Sequence, residues 1–469
     1  MPKNSLPMAI WIAIPAALLM MPCPEGLKPE AWTMLAFYVM AILGMILRPI
    51  AEPAALLVTI GIYSLLFGGT AVSASVAGYG SGTVWLVFSA CLVSRAFVET
   101  GLGRRMAYLL IDRFGRTPLG LGYVAAFADL IIAPATPSNT ARSGGIIYPI
   151  LRSIAVTLGS EPGPTAKKIG SYLSLVSNGV SLSTASMFLT SSAPILLVFS
   201  FGKDVLGVEI SWGTYALAAF PPCFIFMMLV PYLYYRITPP EIKVIDNKNI
   251  AKAGLAELGP ITRQEKTLLG LFVFALAAWA TSNWTGINNT AVALAFVGGT
   301  LLFNVTSWDA MLKEKNAWNT FIWYGAILGL AGGLSRLGFF KWLGEIVVTY
   351  VNFSGLGPCT VMALLIFSSL PLRYVFASAA AYVGTMIPVY MMLAQAGAVP
   401  PMLAAVSLAS TIILGSFVTH FAQGASTVIY AGGYVDQKTW WGTGAFVAPL
   451  ANVIVLALGF PWWKMIGIW

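Results

Sequence analysis

Long apolar runs dominate the chain, and each is close to the length of a bilayer-crossing helix, about 17–25 residues. Only 9% of the residues are charged and 58% are hydrophobic, whereas a soluble protein carries about 25% charged residues. One soluble core could not bury this much apolar surface, so the sequence predicts an all-α polytopic membrane protein. The predicted spans are 7–22, 31–47, 53–68, 82–100, 170–200, 213–235, 268–282, 289–303, 320–348, 402–434 and 444–460.

Two further apolar stretches, 118–151 and 358–397, differ from these spans because small and polar residues interrupt each near its middle. Each is too long for one membrane helix and too interrupted for two. Irregular backbone at membrane depth is tolerated only where protein surrounds it or where it lines a polar cavity. We therefore expect two re-entrant hairpins.

The charge distribution predicts the orientation of the chain. The formal net charge is +9, but the basic residues lie in short loops and form no face that could bind nucleic acid. Cytoplasmic loops are rich in Lys and Arg, which places the polar stretch 236–266 and the N-terminus in the cytoplasm. The sparser Arg336 and Lys341 suit the outside for the second hairpin. The run after Lys3 is expected to be a retained first helix, since no small-residue cleavage site of a signal peptide follows it.

The two halves of the chain resemble each other. Trp85 begins WLVFSACLVSRAFVETGLGRR, and Trp323, 238 positions later, begins WYGAILGLAGGLSRLGFFKWLG. The hairpin tips at Ser138 and Ser378 are 240 positions apart, and a proline follows each at similar spacing. With the charge asymmetry, this nearly constant offset predicts an inverted repeat, an architecture common in secondary transporters.

The tip of the first hairpin, PATPSNTAR, is the first candidate binding element. Ser138 and Thr140 are suited to cap a helix that restarts inside the membrane, and its free N–H groups could bind a carboxylate together with the amide of Asn139. The alternative is a capped kink without a ligand. Arg142 either pairs with Asp129 as a structural ion pair or faces the site, where its planar guanidinium would suit a carboxylate.

Two hydroxyl-rich segments inside apolar spans, 183–194 and 419–427, are predicted to be unwound breaks at roughly the repeat offset. Their alternative is a small-residue face for helix packing. His420, the only histidine of the chain, begins the second segment. It is either a packing residue or a second cation opposite Arg142, and two such cations would match a dianion.

Other chemistries are disfavoured. The cysteines, at positions 23, 91, 223 and 359, are scattered singly and predict neither a disulfide framework nor a metal site. With one histidine and few intramembrane acids, we expect no enzyme and no cofactor. A channel would need a continuous polar pore, whereas the polar residues here concentrate at two tips and two breaks.

Four segments, APATPSNTARSGGIIYPI, LRYVFASAAAY, SRLGFFKWLG and GGYVDQKTWW, resemble the divalent anion:sodium symporter family. The resemblance is specifically to its exchanger branch of bacterial citrate/succinate, tartrate/succinate and plastid 2-oxoglutarate/malate translocators. It implies eleven membrane helices plus two re-entrant hairpins, a homodimer joined through scaffold domains, and an elevator motion that carries di- or tricarboxylates across a bacterial inner membrane. It also implies scaffold regions at 1–117 and 267–357, transport regions at 118–236 and 358–469, and a cytoplasmic linker at 237–266.

The resemblance carries the family's site over to twelve positions. These are Ser138, Asn139, Thr140, Thr190, Ser191, Ser192, Ser378, Ala379, Gly424, Ala425, Ser426 and Thr427.

The second hairpin departs from the family pattern. Sodium-coupled members carry a second Ser-Asn-Thr there, whereas this chain reads Ser378-Ala379-Ala380. We therefore expect sodium-independent exchange of C4–C5 dicarboxylates, with Arg142 and His420 compensating the substrate charge in place of sodium. An empty site would then carry unbalanced charge across the membrane, so only the loaded carrier would cross. The alternative is a sodium- or proton-coupled symporter.

Overall fold

The structure is a computed structural model that describes residues 5–376 and 378–469. Within these ranges the chain consists of helices and connecting loops, with no β-strand. The helices of the first half are α1 (Ser5–Met20), α2 (Pro29–Leu47), α3 (Glu52–Phe67), α4 (Gly69–Val76), α5 (Gly82–Thr100), α6 (Leu102–Phe114), α7 (Pro118–Ile132), α8 (Tyr148–Thr157), α9 (Gly170–Ala185), α10 (Ala193–Phe201) and α11 (Trp212–Ile237).

The second half follows after a polar connection. Its helices are α12 (Asn247–Leu258), α13 (Arg263–Ala280), α14 (Ser282–Thr285), α15 (Asn289–Leu302), α16 (Trp308–Leu312), α17 (Lys315–Arg336), α18 (Phe339–Tyr350), α19 (Pro358–Leu372), α20 (Ala379–Ala396), α21 (Pro401–Ile412), α22 (Gly424–Tyr430) and α23 (Gln437–Met465). Short 3₁₀ turns occupy Ala133–Ala135 and Leu414–Val418, and a π-helical turn occupies Thr140–Ile147.

In the part of the chain that the structure describes, seven helices are long and apolar enough to cross a membrane: α2, α5, α7 extended to Ala135, α11, α20, α21 extended to Val418, and α23. Four shorter apolar helices, α1, α3, α15 and α19, accompany them. The prediction of an all-α polytopic membrane protein is confirmed.

The interrupted segments differ in how they match the prediction. Both expected breaks occur, between α9 and α10 and between α21 and α22. The single span predicted at 320–348 is wrong, because α17 ends at Arg336 and α18 begins at Phe339. Gly338 between them has a φ of 82°, and this left-handed conformation ends a helix.

Helix α17 packs against α2, α3, α4 and α5 and, most extensively, against the 3₁₀ turn Ala77–Gly80. The approach is closest at Gly78, where an added Cβ atom would lie 2.0 Å from the carbonyl oxygen of Gly325 and 2.5 Å from the nitrogen of Gly329. Small residues let backbones come this close, and such contacts drive helix association in lipid.

We expect Gly78→Ala to destabilise the protein, since the new methyl group would meet backbone atoms that cannot rotate away. Overpacking of this kind costs about 1–3 kcal/mol. The thermal unfolding midpoint in detergent measures the effect, with Gly61→Ala as the matched control, because no atom lies within 4 Å of a Cβ atom added at Gly61. Equal midpoints for the two variants would contradict the packing argument.

Candidate substrate site

Both hairpin tips and both helix breaks reach one cavity of about 940 Å³. It is lined by eight of the predicted site residues, namely Ser138, Asn139, Thr140, Ser192, Ser378, Ala379, Gly424 and Thr427. Four segments that are distant in sequence therefore converge on one space.

The first tip is shaped by its prolines and its serine. Pro134 and Pro137 carry no N–H and interrupt the helix after α7. Ser138 Oγ accepts a hydrogen bond from the Ala141 nitrogen at 3.2 Å, as expected of a capping residue. Asn139 is buried, and its amide donates to the Ser181 carbonyl of α9 at 3.5 Å. Asn139 thus anchors the tip to α9, while the Ser138 side chain faces the cavity.

Backbone hydrogen bonds tie each tip to a break. The Ala193 nitrogen, at the start of α10, donates to the Pro137 carbonyl at 3.2 Å. In the second half the Ala379 nitrogen, at the start of α20, donates to the Ala422 carbonyl at 2.9 Å. Each pair satisfies polar groups that an interrupted helix leaves without a partner.

Four other predicted residues are buried away from the cavity. Thr190 Oγ1 donates to the Pro134 carbonyl at 2.5 Å, and Ser191 Oγ donates to the Ala185 carbonyl at 2.7 Å. Ser426 Oγ donates to Asn178 Oδ1 at 2.6 Å, and Ala425 is fully buried. In this structure these four side chains support the breaks and are not part of the cavity wall.

Arg142 does not face the cavity, contrary to one of its two predicted orientations. It is fully buried, and its Nε lies 2.9 Å from Asp129 Oδ2. Its Nη1 donates to the carbonyls of Thr136 at 2.8 Å and Ser191 at 3.2 Å, and Asp129 also accepts from Ser143 Oγ at 2.5 Å. The guanidinium is drawn inward because the tip and the break supply acceptors there, and its charge is balanced by Asp129.

His420 also lies outside the cavity wall. Its Nδ1 accepts a hydrogen bond from Trp441 Nε1 at 3.1 Å, and its ring stacks on Tyr430 with 4.0 Å between ring centroids. A nitrogen that accepts from an indole N–H carries no proton. His420 therefore has the packing arrangement that the sequence left open, and the expected pair of cations facing a substrate is not seen.

Sequence reasoning missed the opposite wall of the cavity. Arg48 and Glu52, at the turn between α2 and α3, belong to it, and their side chains lie 3.7 Å apart. Asn316, Asn319 and Thr320 of α17 complete it. Their spacing of three and four residues places them on one helix face, and this polar face of an apolar helix was readable from the sequence.

A family model described as the sodium:sulfate symporter transmembrane region matches residues 3–469. The chain belongs to this family. The predicted resemblance to divalent anion:sodium symporters is thereby confirmed. The family and its members are transporters, so the chain is a multi-pass membrane transporter and not an enzyme.

Three relatives match over nearly the whole chain. Inner membrane protein YbhI of Escherichia coli K12 is 44% identical, with coverage of 100% of this chain and 99% of that protein. The chloroplastic dicarboxylate transporter 1 of Spinacia oleracea is 35% identical, with coverage of 96% of this chain and 79% of that protein. The L-tartrate/succinate antiporter of Escherichia coli K12 is 34% identical, with coverage of 97% of both chains.

The fold is shared with solved structures at low sequence identity. The YdaH transporter of Alcanivorax borkumensis superposes with a TM-score of 0.58 at 12% identity, with coverage of 99% of this chain and 98% of that chain. This likeness shows the same overall fold.

We expect Asp129→Asn to destabilise the protein strongly, because it leaves the guanidinium of Arg142 buried without its counter-charge. Breaking one side of a buried ion pair costs about 3–5 kcal/mol. The yield of monodisperse protein and its unfolding midpoint measure the loss. Glu257→Gln is the control, since the Glu257–Arg104 pair is solvent-exposed and should contribute little. A stable Asp129→Asn protein would mean that Arg142 has another counter-charge.

Proposed function

We propose that the chain is a secondary transporter that exchanges C4–C5 dicarboxylates across the bacterial inner membrane, independently of sodium. The observation that carries the proposal is the shared cavity, because both tips and both breaks line one space. The relatives named as a dicarboxylate transporter and as a tartrate/succinate antiporter support the same substrate class.

The character of the cavity wall favours an anionic substrate. Hydroxyl groups of Ser138, Ser192 and Ser378 line it, together with the N-terminal ends of α10 and α20. The N-terminus of a helix carries a partial positive charge and first-turn N–H groups without a helical acceptor. Among the described residues, Glu52 is the acidic side chain of this wall, and it lies beside Arg48. A carboxylate would thus meet donors and little repulsion.

The second tip supports sodium independence. Ala379 and Ala380 line the cavity at the positions where the first tip presents Asn139 and Thr140. Methyl groups can neither coordinate a cation nor donate a hydrogen bond. Exchange then requires only that the carrier cross the membrane in each direction with a substrate bound. The name of the tartrate/succinate antiporter relative describes this kind of exchange.

A second cavity, of about 520 Å³, supports movement of the substrate from one side to the other. It is lined by Leu328, Gly332 and Arg336 in the C-terminal half of α17, whereas the large cavity contacts the N-terminal half at Asn316–Trp323. In the first break, Leu189 lines this second cavity, whereas Ser192, three residues later, lines the large one. That break would be the barrier between the two sides.

We further propose an elevator mechanism in a homodimer with a cytoplasmic N-terminus. The scaffold would comprise 1–117 and 267–357, and the moving part 118–236 and 358–469 with both re-entrant hairpins. The packing of α17 on α2–α5, and of α9 on α7 and α11, fits this division.

Uptake of labelled succinate into proteoliposomes tests the function. We expect uptake only into vesicles preloaded with unlabelled dicarboxylate, at the same rate with sodium or choline outside. Uptake into empty vesicles driven by a sodium or proton gradient would instead establish the symporter alternative. Vesicles without protein control for passive leak.

We expect Ser138→Ala to raise the half-saturating succinate concentration about 2- to 10-fold, which corresponds to the loss of one hydrogen bond. Because Ser138 Oγ accepts from the backbone, its proton is directed outward and available to a carboxylate oxygen. Ser153→Ala is the matched control, since Ser153 is exposed in α8 and does not line the cavity. Equal half-saturation for the two variants would remove Ser138 from the site.

A further inference from the structure

A second buried guanidinium lies behind the second tip. Arg373 follows the last residue of α19 and is 2% exposed. Its Nη2 donates to the Ile412 carbonyl, at the end of α21, at 2.5 Å, and its Cζ lies 3.5 Å from the ring centroid of Tyr382 in the first turn of α20. Its Nε and Nη1 find no hydrogen-bond partner among the described residues.

The repeat does not align Arg373 with Arg142. With the 240-residue offset of the tips, Tyr382 corresponds to Arg142 and Ser369 to Asp129. Arg142 contacts the Ser191 carbonyl near the end of the break after α9, whereas Arg373 contacts the Ile412 carbonyl at the end of α21, where the second break begins. Each half therefore seats one guanidinium at its break, but from a different chain position.

The two guanidinium groups differ in their counter-charge. Arg142 has Asp129, whereas the ion pairs of the described residues include none with Arg373. The undescribed positions, 1–4 and 377, contain no Asp or Glu that could supply one. The carbonyl end of α21 and the face of Tyr382 attract a cation, but neither carries a full negative charge.

The surroundings are shaped to hold this cation. An added Cβ atom at Gly415 would lie 3.0 Å from Arg373 Nε and 3.2 Å from its Nη2, so the absence of a side chain there makes room for the guanidinium. Tyr382 belongs to the same helix turn as Ala379 and Ala380, which line the cavity. Arg373 is thus one layer behind the cavity wall, where low polarity strengthens its attraction for an anion.

We propose that Arg373 supplies the net positive charge of the substrate site and makes the site select dianions over monoanions. It acts through the second tip without touching the substrate and is a positioning residue. This inference rests on the proposed function, and it explains how the second half binds a carboxylate although its tip has lost the amide and hydroxyl of the first. Because the attraction scales with the charge of the ligand, a dianion gains twice what a monoanion gains.

Neutralising Arg373 in place tests the proposal. Ser369 is buried and four residues before Arg373, so Ser369→Asp would place a carboxylate beside the guanidinium, and Ser369→Asn is its uncharged control of equal size. The measurement is inhibition of labelled succinate exchange by unlabelled succinate and by its monoanionic half-amide, succinamate. We expect Ser369→Asp to weaken succinate inhibition about tenfold or more and succinamate inhibition much less, with Ser369→Asn close to wild type.

Further variants separate charge from structure. Arg373→Lys should retain the preference for the dianion and Arg373→Gln should lose it, whereas Tyr382→Phe, which keeps the ring, should change neither. Equal shifts for succinate and succinamate in Ser369→Asp, or equal behaviour of Ser369→Asp and Ser369→Asn, would overturn the proposal while wild-type exchange left the proposed function standing. A wild-type protein that exchanges no dicarboxylate would overturn both.

Discussion

The structure depends on one constraint: a polypeptide inside a membrane must satisfy its backbone polar groups within the protein. Two tips and two broken helices violate regular helical bonding in this chain, and the fold resolves the violation by pairing them. The Pro137 carbonyl meets the Ala193 nitrogen, and the Ala379 nitrogen meets the Ala422 carbonyl. Each tip is thus held beside its break, and all four irregular segments reach the same cavity.

The guanidinium groups extend the same solution to the carbonyl ends of the broken helices. Arg142 binds the carbonyls of Thr136 and Ser191, and Arg373 binds that of Ile412. Burying a cation is costly in lipid unless it is paired, and among the described residues only the first of the two has a carboxylate partner. The two halves thus each bury one guanidinium, with different electrostatic results.

The sequence predicted what depends on polarity at the scale of whole segments: the all-helical membrane architecture and both breaks. It could not predict which side chains of a break face the cavity, because unwound backbone has no helical period. Thr190 and Ser191 turn inward while Ser192 lines the wall. The orientation of Arg142 depended on competing acceptors contributed by Thr136 and Ser191, which only the folded chain brings together. The interruption at Gly338 depended on one backbone angle, which apolar composition does not reveal.

The same hydrogen bonds limit how such a carrier can move. If a tip moved away from its break, the Pro137 carbonyl and the Ala193 nitrogen would both lose their partner, and leaving a buried polar group unsatisfied costs about 1–3 kcal/mol. Displacing Arg142 from Asp129 would add the cost of a separated buried ion pair. Sliding the tips and breaks together past α17, where the opposite wall is formed by side chains such as Asn316 and Asn319, breaks none of these bonds. Satisfaction of the backbone thus favours a rigid moving unit over independent opening of the hairpins.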